Sequence, residues 1–239
     1  MKKTVFVVAL TTVSLLLNAC DAGKKAAAQK PEPGSLAQQD TPILPVKKGD
    51  TWRYDVRLEI PADVTSPGAA EVDTSHQRVR NYLGKISPAN GLPEVDCFEV
   101  IVPNAPVERE FVEIYDDRIL MRGSMIMRPE TTKPMWLDRA IPFVIAGMKP
   151  GTQLPELEAA GGGLSRKTHI VAREDVSVPA GTFPAVRILM TGKDGEFELR
   201  RTTWFSPGVG IVREEKTRYL KDKLIFRETQ QLTETSVKR

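Results

Sequence analysis

Between Thr51 and Ile60 apolar and polar residues alternate without a break. Trp52, Tyr54, Val56, Leu58 and Ile60 fall on one side, and Thr51, Arg53, Asp55, Arg57 and Glu59 on the other. Successive side chains of a strand point to opposite faces, whereas helical geometry would scatter this set, so the spacing predicts a half-buried strand. Similar runs predict strands over 76–86, 96–102, 107–115, 118–127, 166–178, 185–191, 197–205, 209–219 and 223–233. Asp116-Asp117, Lys193-Asp194-Gly195, Ser206-Pro207-Gly208 and Lys221-Asp222 separate neighbouring runs, as hairpin turns do. Helix is expected only as a turn or two between Pro134 and Met148, interrupted by Pro134 and Pro142. The outward faces mix signs, as in Arg213-Glu214-Glu215-Lys216, which suits an antiparallel sheet wetted on one side. The basic pairs Arg78/Arg80 and Arg200/Arg201 read the same way, as solvated strand edges. The expected class is mainly β, an antiparallel sheet with few short helices.

Upstream of the strands the pattern changes. Lys2 and Lys3 precede an uncharged, almost wholly apolar stretch from Thr4 to Leu17. A spanning helix needs about 20 apolar residues, so this stretch has the length of a secretory leader. Residues 21–45 are rich in Ala, Lys, Gln, Pro, Gly and Ser, and read as a flexible tether with folded structure beginning near Val46. The expected organisation is therefore a leader over 1–19, a modified cysteine and tether over 20–45, and a β domain over 46–239. A short echo between Val46-Lys-Lys-Gly-Asp-Thr51 and Met148-Lys-Pro-Gly-Thr-Gln153 divides that domain into halves 46–147 and 148–239; chance accounts for it equally well.

Leu17-Asn18-Ala19-Cys20 resembles the lipobox of bacterial lipoproteins, with an aliphatic residue three places before the cysteine and a small one just before it. Asn18 is bulkier than the residue usual there. The resemblance implies cleavage between Ala19 and Cys20 and acylation of Cys20, as by palmitate. Several acyl chains make a durable anchor, where one binds only marginally. Asp21 resembles an inner-membrane retention signal, which leaves inner and outer membrane both open. The anchored domain is expected in the periplasm or at the cell surface.

The second distinctive segment runs Val176-Ser-Val-Pro-Ala-Gly-Thr-Phe-Pro-Ala-Val-Arg187, followed by Thr203-Trp-Phe-Ser-Pro-Gly-Val-Gly-Ile-Val212. Pro179 and Gly181 permit a tight reversal, Phe183 packs beneath it, Trp204 fills the end of the core, and Gly208 and Gly210 flank Val209 where the backbone turns. This pairing resembles a pattern of bacterial envelope proteins, many similar to the LolA/LolB lipoprotein-carrier half-barrel. It covers about residues 165–235, and 46–60 more loosely through Gly49, Trp52 and Tyr54. It implies a curved sheet, half-barrel or sandwich-like, and says little about activity.

Composition removes several classes. The formal charge of +3 becomes +1 once Lys2 and Lys3 leave with the leader, so no global basicity argues for nucleic acid. Cys97 is the one cysteine beyond Cys20, in a strand-like run, and reads as a small buried hydrophobe. His76 and His169 lack the close spacing of a zinc site, and read as core or surface histidines. Serines lack a Gly-X-Ser-X-Gly elbow, and Gly161-Gly-Gly163 lacks the following Gly-Lys-Ser/Thr of a phosphate loop. No catalytic residue, metal or cofactor is expected.

Three functions remain open. The first is a non-catalytic lipoprotein that binds or scaffolds, with a membrane and an envelope protein or lipid as partners. The second is a carrier or sensor of an apolar ligand in the concavity of the sheet, lined by Phe111, Met121, Trp136 and Phe143. The third, remote, is a hydrolase using Cys97 and a histidine.

Overall fold

In the computed structural model, residues 42–64, 66–88, 93–128, 133–158 and 164–237 are described. The leader, Ala19, Cys20, most of the tether and Gly161-Gly-Gly163 lie outside them. The strands are β1 Thr51–Ile60, β2 Val72–Ile86, β3 Val95–Ile101, β4 Glu108–Ile114, β5 Arg118–Ile126 and β6 Met135–Ile145. A second series follows: β7 Leu157–Glu158, β8 Leu164–Val178, β9 Gly181–Asp194, β10 Phe197–Ser206, β11 Gly210–Leu220 and β12 Lys223–Thr235. Every pairing is antiparallel, and the order is β6-β5-β4-β3-β2-β1-β12-β11-β10-β9-β8-β7. The sheet curls into a half-barrel.

This order makes two meanders meet where the first and last strands pair, with Tyr54 opposite Leu232 and Val56 opposite Gln230. The free edges, β6 and β7, are consecutive in the chain, joined through residues 146–156 along one rim. Bulges interrupt the ladders at Tyr82/Gly84, Phe111/Val112, Ile170/Ala172 and Trp204/Phe205. Each adds local twist and helps the sheet coil. Lys221 and Asp222, with φ of 49° and 64°, form the two-residue β11–β12 turn, whose twist matches the strands it joins.

Two expectations need correction. Within the segment 134–148 the residues Met135–Ile145 form a strand, and no helix occurs among the described residues. Bulges in the β5–β6 ladder break the alternation that would have revealed β6, and Pro142 is tolerated because β6 is an edge strand. The folded domain also begins before Val46. Ile43 and Leu44 are buried; the Ile43 amide donates to Asp116 O at 2.9 Å, and Ile43 O accepts from the Gly208 amide at 3.0 Å.

Ile43 and Leu44 plug one end of the curl. Gly210 has φ +106°, and a Cβ there would stand 3.4 Å from Leu44 Cδ1, so glycine serves both turn and plug. Trp52 Nε1 donates to Val209 O at 2.7 Å, tying the plug-side turn to β1. Around it lie Phe98, Tyr82, Phe205, Val212 and Leu232, all buried. Leu44→Ala should therefore lower unfolding stability by about 2–5 kcal/mol. A urea titration checks this; a loss within about 0.5 kcal/mol, the range of surface substitutions, would return this segment to the tether.

Candidate functional site

On the plug side, the inner face is apolar. Towards the middle of the strands it turns ionic. β2 places Arg78 and Arg80 on the same side as the buried Tyr54 and Trp52, their register partners on β1. β11 and β12 contribute Glu214, Lys216, Glu228 and Gln230, and β10 contributes Arg201 and Thr203. Arg78 reaches across β1 to grip Glu228 with two hydrogen bonds, 2.8 and 3.0 Å, and donates to Gln230 Oε1 at 2.5 Å. Lys216 Nζ bridges Glu228 at 3.0 Å and Glu214 at 3.2 Å. Glu214 also accepts from Arg201 Nε at 2.6 Å and from the Thr203 hydroxyl at 3.1 Å. The result is a continuous chain, Arg78–Glu228–Lys216–Glu214–Arg201, crossing the interior. Arg80 pairs with Glu110 on β4 at 2.8 Å and lays its guanidinium 3.8 Å over the Phe98 ring.

These placements overturn the reading of Arg78, Arg80 and Arg201 as solvated edges, and of Glu214 and Lys216 as outward charges. Glu214 is 2% exposed and Arg78 9%. Arg200 alone of those basic pairs is exposed. The alternation in β12 carried the missed signal: Phe226, Glu228, Gln230 and Leu232 share one face, so polar residues occupy positions that two apolar residues mark as interior. The outer face does carry exposed cross-strand pairs, such as Arg57 with Asp73 at 2.8 Å.

Burial pushes the Glu214 carboxyl upward, but Arg201, Lys216 and Arg78 outweigh it and hold it at about 2. Glu228 follows the same balance and lies lower still, against burial, through Lys216 and Arg78. For Glu110, burial is again opposed by Arg80 and Arg201, which prevail. Tyr54 is shifted upward by burial, its hydroxyl donating to Ile211 O at 3.0 Å.

Against this ionic layer lies a cavity of about 300 Å³. Its lining runs from Leu44 at the plug to Arg218 and Phe226 towards the β11–β12 turn. Met121, Ile141, Phe143, Ile188, Met190 and Leu199 make apolar wall; Arg80, Glu110, Arg166, Arg201 and Lys216 make polar wall. Phe143 meets Phe205 edge-on, 6.2 Å between centroids. Phe111 and Trp136 are not in that lining. They stack on each other at 4.6 Å, in a second cluster with Val95, Cys97 and Met125. Trp136 lies over Gly123, where a Cβ would come within 3.1 Å of the indole.

Cys97 is buried in that cluster, and burial pushes its thiol up. Arg109, Glu99 and Glu110 are the charges that act on it, and no hydrogen bond joins it to either histidine among the described residues. His76 lies on β2 opposite Val56, with burial and Arg78 lowering its pKa; His169 lies on β8 opposite Leu189. Asp116 and Asp117 form the β4–β5 turn. In the second distinctive segment, Pro179 and Ala180 form the β8–β9 turn, with Gly181 at φ +129°. Phe183 is buried beneath it; Trp204, also buried, donates to Glu174 at 2.7 Å under the Arg213 guanidinium.

No family model matches the chain, and no curated protein matches it. Solved structures of similar chain path exist. A Bacteroides fragilis protein described as exported, with a YmcC-like fold, aligns at 14% identity and TM-score 0.48 over 82% of this chain and 99% of its own. A Parabacteroides distasonis protein described as a candidate lipoprotein gives 13% and 0.47, over 83% and 100%. A β-barrel-like domain of unknown function from Brucella abortus gives 9% and 0.35, over 82% and 100%.

The ionic layer makes stability depend on acid. Unfolded glutamate titrates near 4.3, above the folded Glu214 value of about 2, so the unfolded chain takes up protons first. The Glu214 contribution, on the order of 3 kcal/mol at 1.36 kcal/mol per pKa unit, is complete above about pH 5 and is lost as pH falls towards 2. Glu214→Gln should flatten this dependence and, at pH 7, cost about 3–5 kcal/mol, the cost of breaking a buried pair. Urea melts from pH 7 down to pH 3 check it; a variant that keeps the wild-type slope would mean that Glu214 is not held ionised.

Proposed function

We propose that the chain is an envelope lipoprotein, held on a membrane by acyl groups on Cys20, whose half-barrel is a non-catalytic receptor for an amphiphile. The observation that carries this reading is the cavity: about 300 Å³, with apolar side chains (Met121, Phe143, Met190, Leu199) and ionic ones (Arg80, Glu110, Arg166, Arg201) in one lining. That size lies at the small end of ligand sites, and suits one chain better than two. Such a lining rewards a ligand with a hydrocarbon body and a polar end, since each part finds side chains that can replace its water. The ionic layer resists collapse of the walls onto each other, because closing the space would strip water from charges that already use their partners.

Other features support the same reading. The resemblance of Leu17-Asn18-Ala19-Cys20 to a lipobox, behind an apolar leader, fits an address in the envelope, with the domain in the periplasm or outside. The resemblance to LolA/LolB half-barrels fits a carrier or sensor role. A buried thiol with a raised pKa, remote in hydrogen bonding from both histidines, favours binding over hydrolysis. Asp21 favours the inner membrane.

Native mass spectrometry of the full mature protein, extracted gently from its own envelope, tests the proposal. The expected spectrum carries a lipid-sized mass beyond the acylated Cys20, lost on denaturation; Cys20→Ser should release the protein from membranes while keeping that mass. Protein that stays bare after incubation with detergent-solubilised envelope lipid would favour a scaffolding role.

A further inference from the structure

The interior cations differ in how they are occupied. Arg78, Arg80, Arg201 and Lys216 each hold a carboxylate within 3.2 Å. Arg166, on β8, also lines the cavity, yet among the described residues no carboxylate makes an ion pair with it within 4.0 Å. Its Nε is buried and has no hydrogen-bond partner there. Its stem crosses β9 at Gly192, where a Cβ would stand 3.2 Å from Arg166 Cγ and 2.3 Å from the backbone oxygen of Ser165. The close approach of the Ser165 carbonyl is what demands glycine there, and the arginine stem lies over it. Met190 and Leu199, beside it on β9 and β10, supply apolar wall.

The charge balance points the same way. Among the lining side chains cations outnumber carboxylates, Arg80, Arg166, Arg200, Arg201, Lys216 and Arg218 against Glu108 and Glu110, with Glu214, Glu228 and Asp194 close by. Arg166 lies beside Arg201, at the end of the paired chain. Burial, with Arg201 nearby, depresses the Arg166 pKa, Asp194 opposing weakly, as expected for a cation whose counter-charge is not supplied by the fold.

We infer that Arg166 is the headgroup receptor of the cavity, and that the ligand is a single-chain amphiphile with an anionic end, whose oxygens accept from the guanidinium while the chain lies along Met190, Leu199 and Ile188. This rests on the amphiphile-receptor reading above. A planar guanidinium matches the two oxygens of a carboxylate, and a phosphate equally well. Charge-assisted hydrogen bonds in a desolvated wall are about twice as strong as neutral ones, so the anion should dominate selectivity.

The test uses the full mature chain carrying Cys20→Ser, so that its own acyl groups do not compete, titrated calorimetrically with dodecanoate, dodecyl phosphate and neutral dodecanol. At least tenfold tighter binding of one anion than of dodecanol is expected, and whichever anion binds more tightly identifies the headgroup. Arg166→Gln should bring that anion down to the dodecanol level with dodecanol binding unchanged. Arg166→Lys should keep part of the preference and guards against a folding defect in the glutamine variant, with circular dichroism as the check. Equal binding of anion and alcohol, or an anion preference that survives in a folded Arg166→Gln, would overturn the inference while leaving the cavity reading intact. Failure of all three ligands to bind would overturn both.

Discussion

A carboxylate held ionised inside a β-sheet sets how the two meanders of this fold are joined. Glu214, 2% exposed, takes Arg201, Lys216 and Thr203 at once, and through Lys216 it is tied to Glu228 and Arg78. Removing these groups from water is costly, and their mutual attraction offsets the cost only when every member is in place. The chain crosses β2, β12, β11 and β10, so it also fixes how the two meanders sit against each other. A row of apolar side chains would tolerate small slips there; this row does not.

The sheet order explains where that row can form. Because β1 pairs with β12, the first and last strands stand together at the middle of the sheet, and both meanders face the same interior. The plug of Ile43 and Leu44 closes one end with apolar contacts, and the ions take the next level along the strands. The cavity runs alongside the ions, from Leu44 at the plug to Met190, Leu199, Phe226, Arg166 and Arg218. Packing and charge thus share one interior, and the cavity borders both.

How much of this was legible in the chain depended on the face. β1 was fully legible, since five apolar and five polar residues alternate and the interior at that level is apolar. The hairpin turns were legible from Gly, Asp and Pro. β6 was not, because bulges and Pro142 break its period, and only its edge position makes the proline tolerable. The interior charges read as outward because opposite charges on a strand usually face water. The Phe226–Leu232 alternation on β12 contradicts that habit, as does β4, where Glu108 and Glu110 share a face with Val112. Phe111 and Trp136, expected on the cavity, instead stack over Gly123 with Cys97, a partnership that depends on bulges no periodicity encodes.

Glu214 and Glu228 stay ionised within the fold, and carboxyl carbon NMR of selectively labelled glutamate reads that state directly. In the folded protein, two glutamate carboxyl resonances, abolished singly by Glu214→Gln and Glu228→Gln, should remain at the ionised shift as pH is lowered through about 4, where exposed glutamates titrate. Midpoints near 4.3 for these two resonances would contradict it, and with it the ionic layer that keeps the interior open.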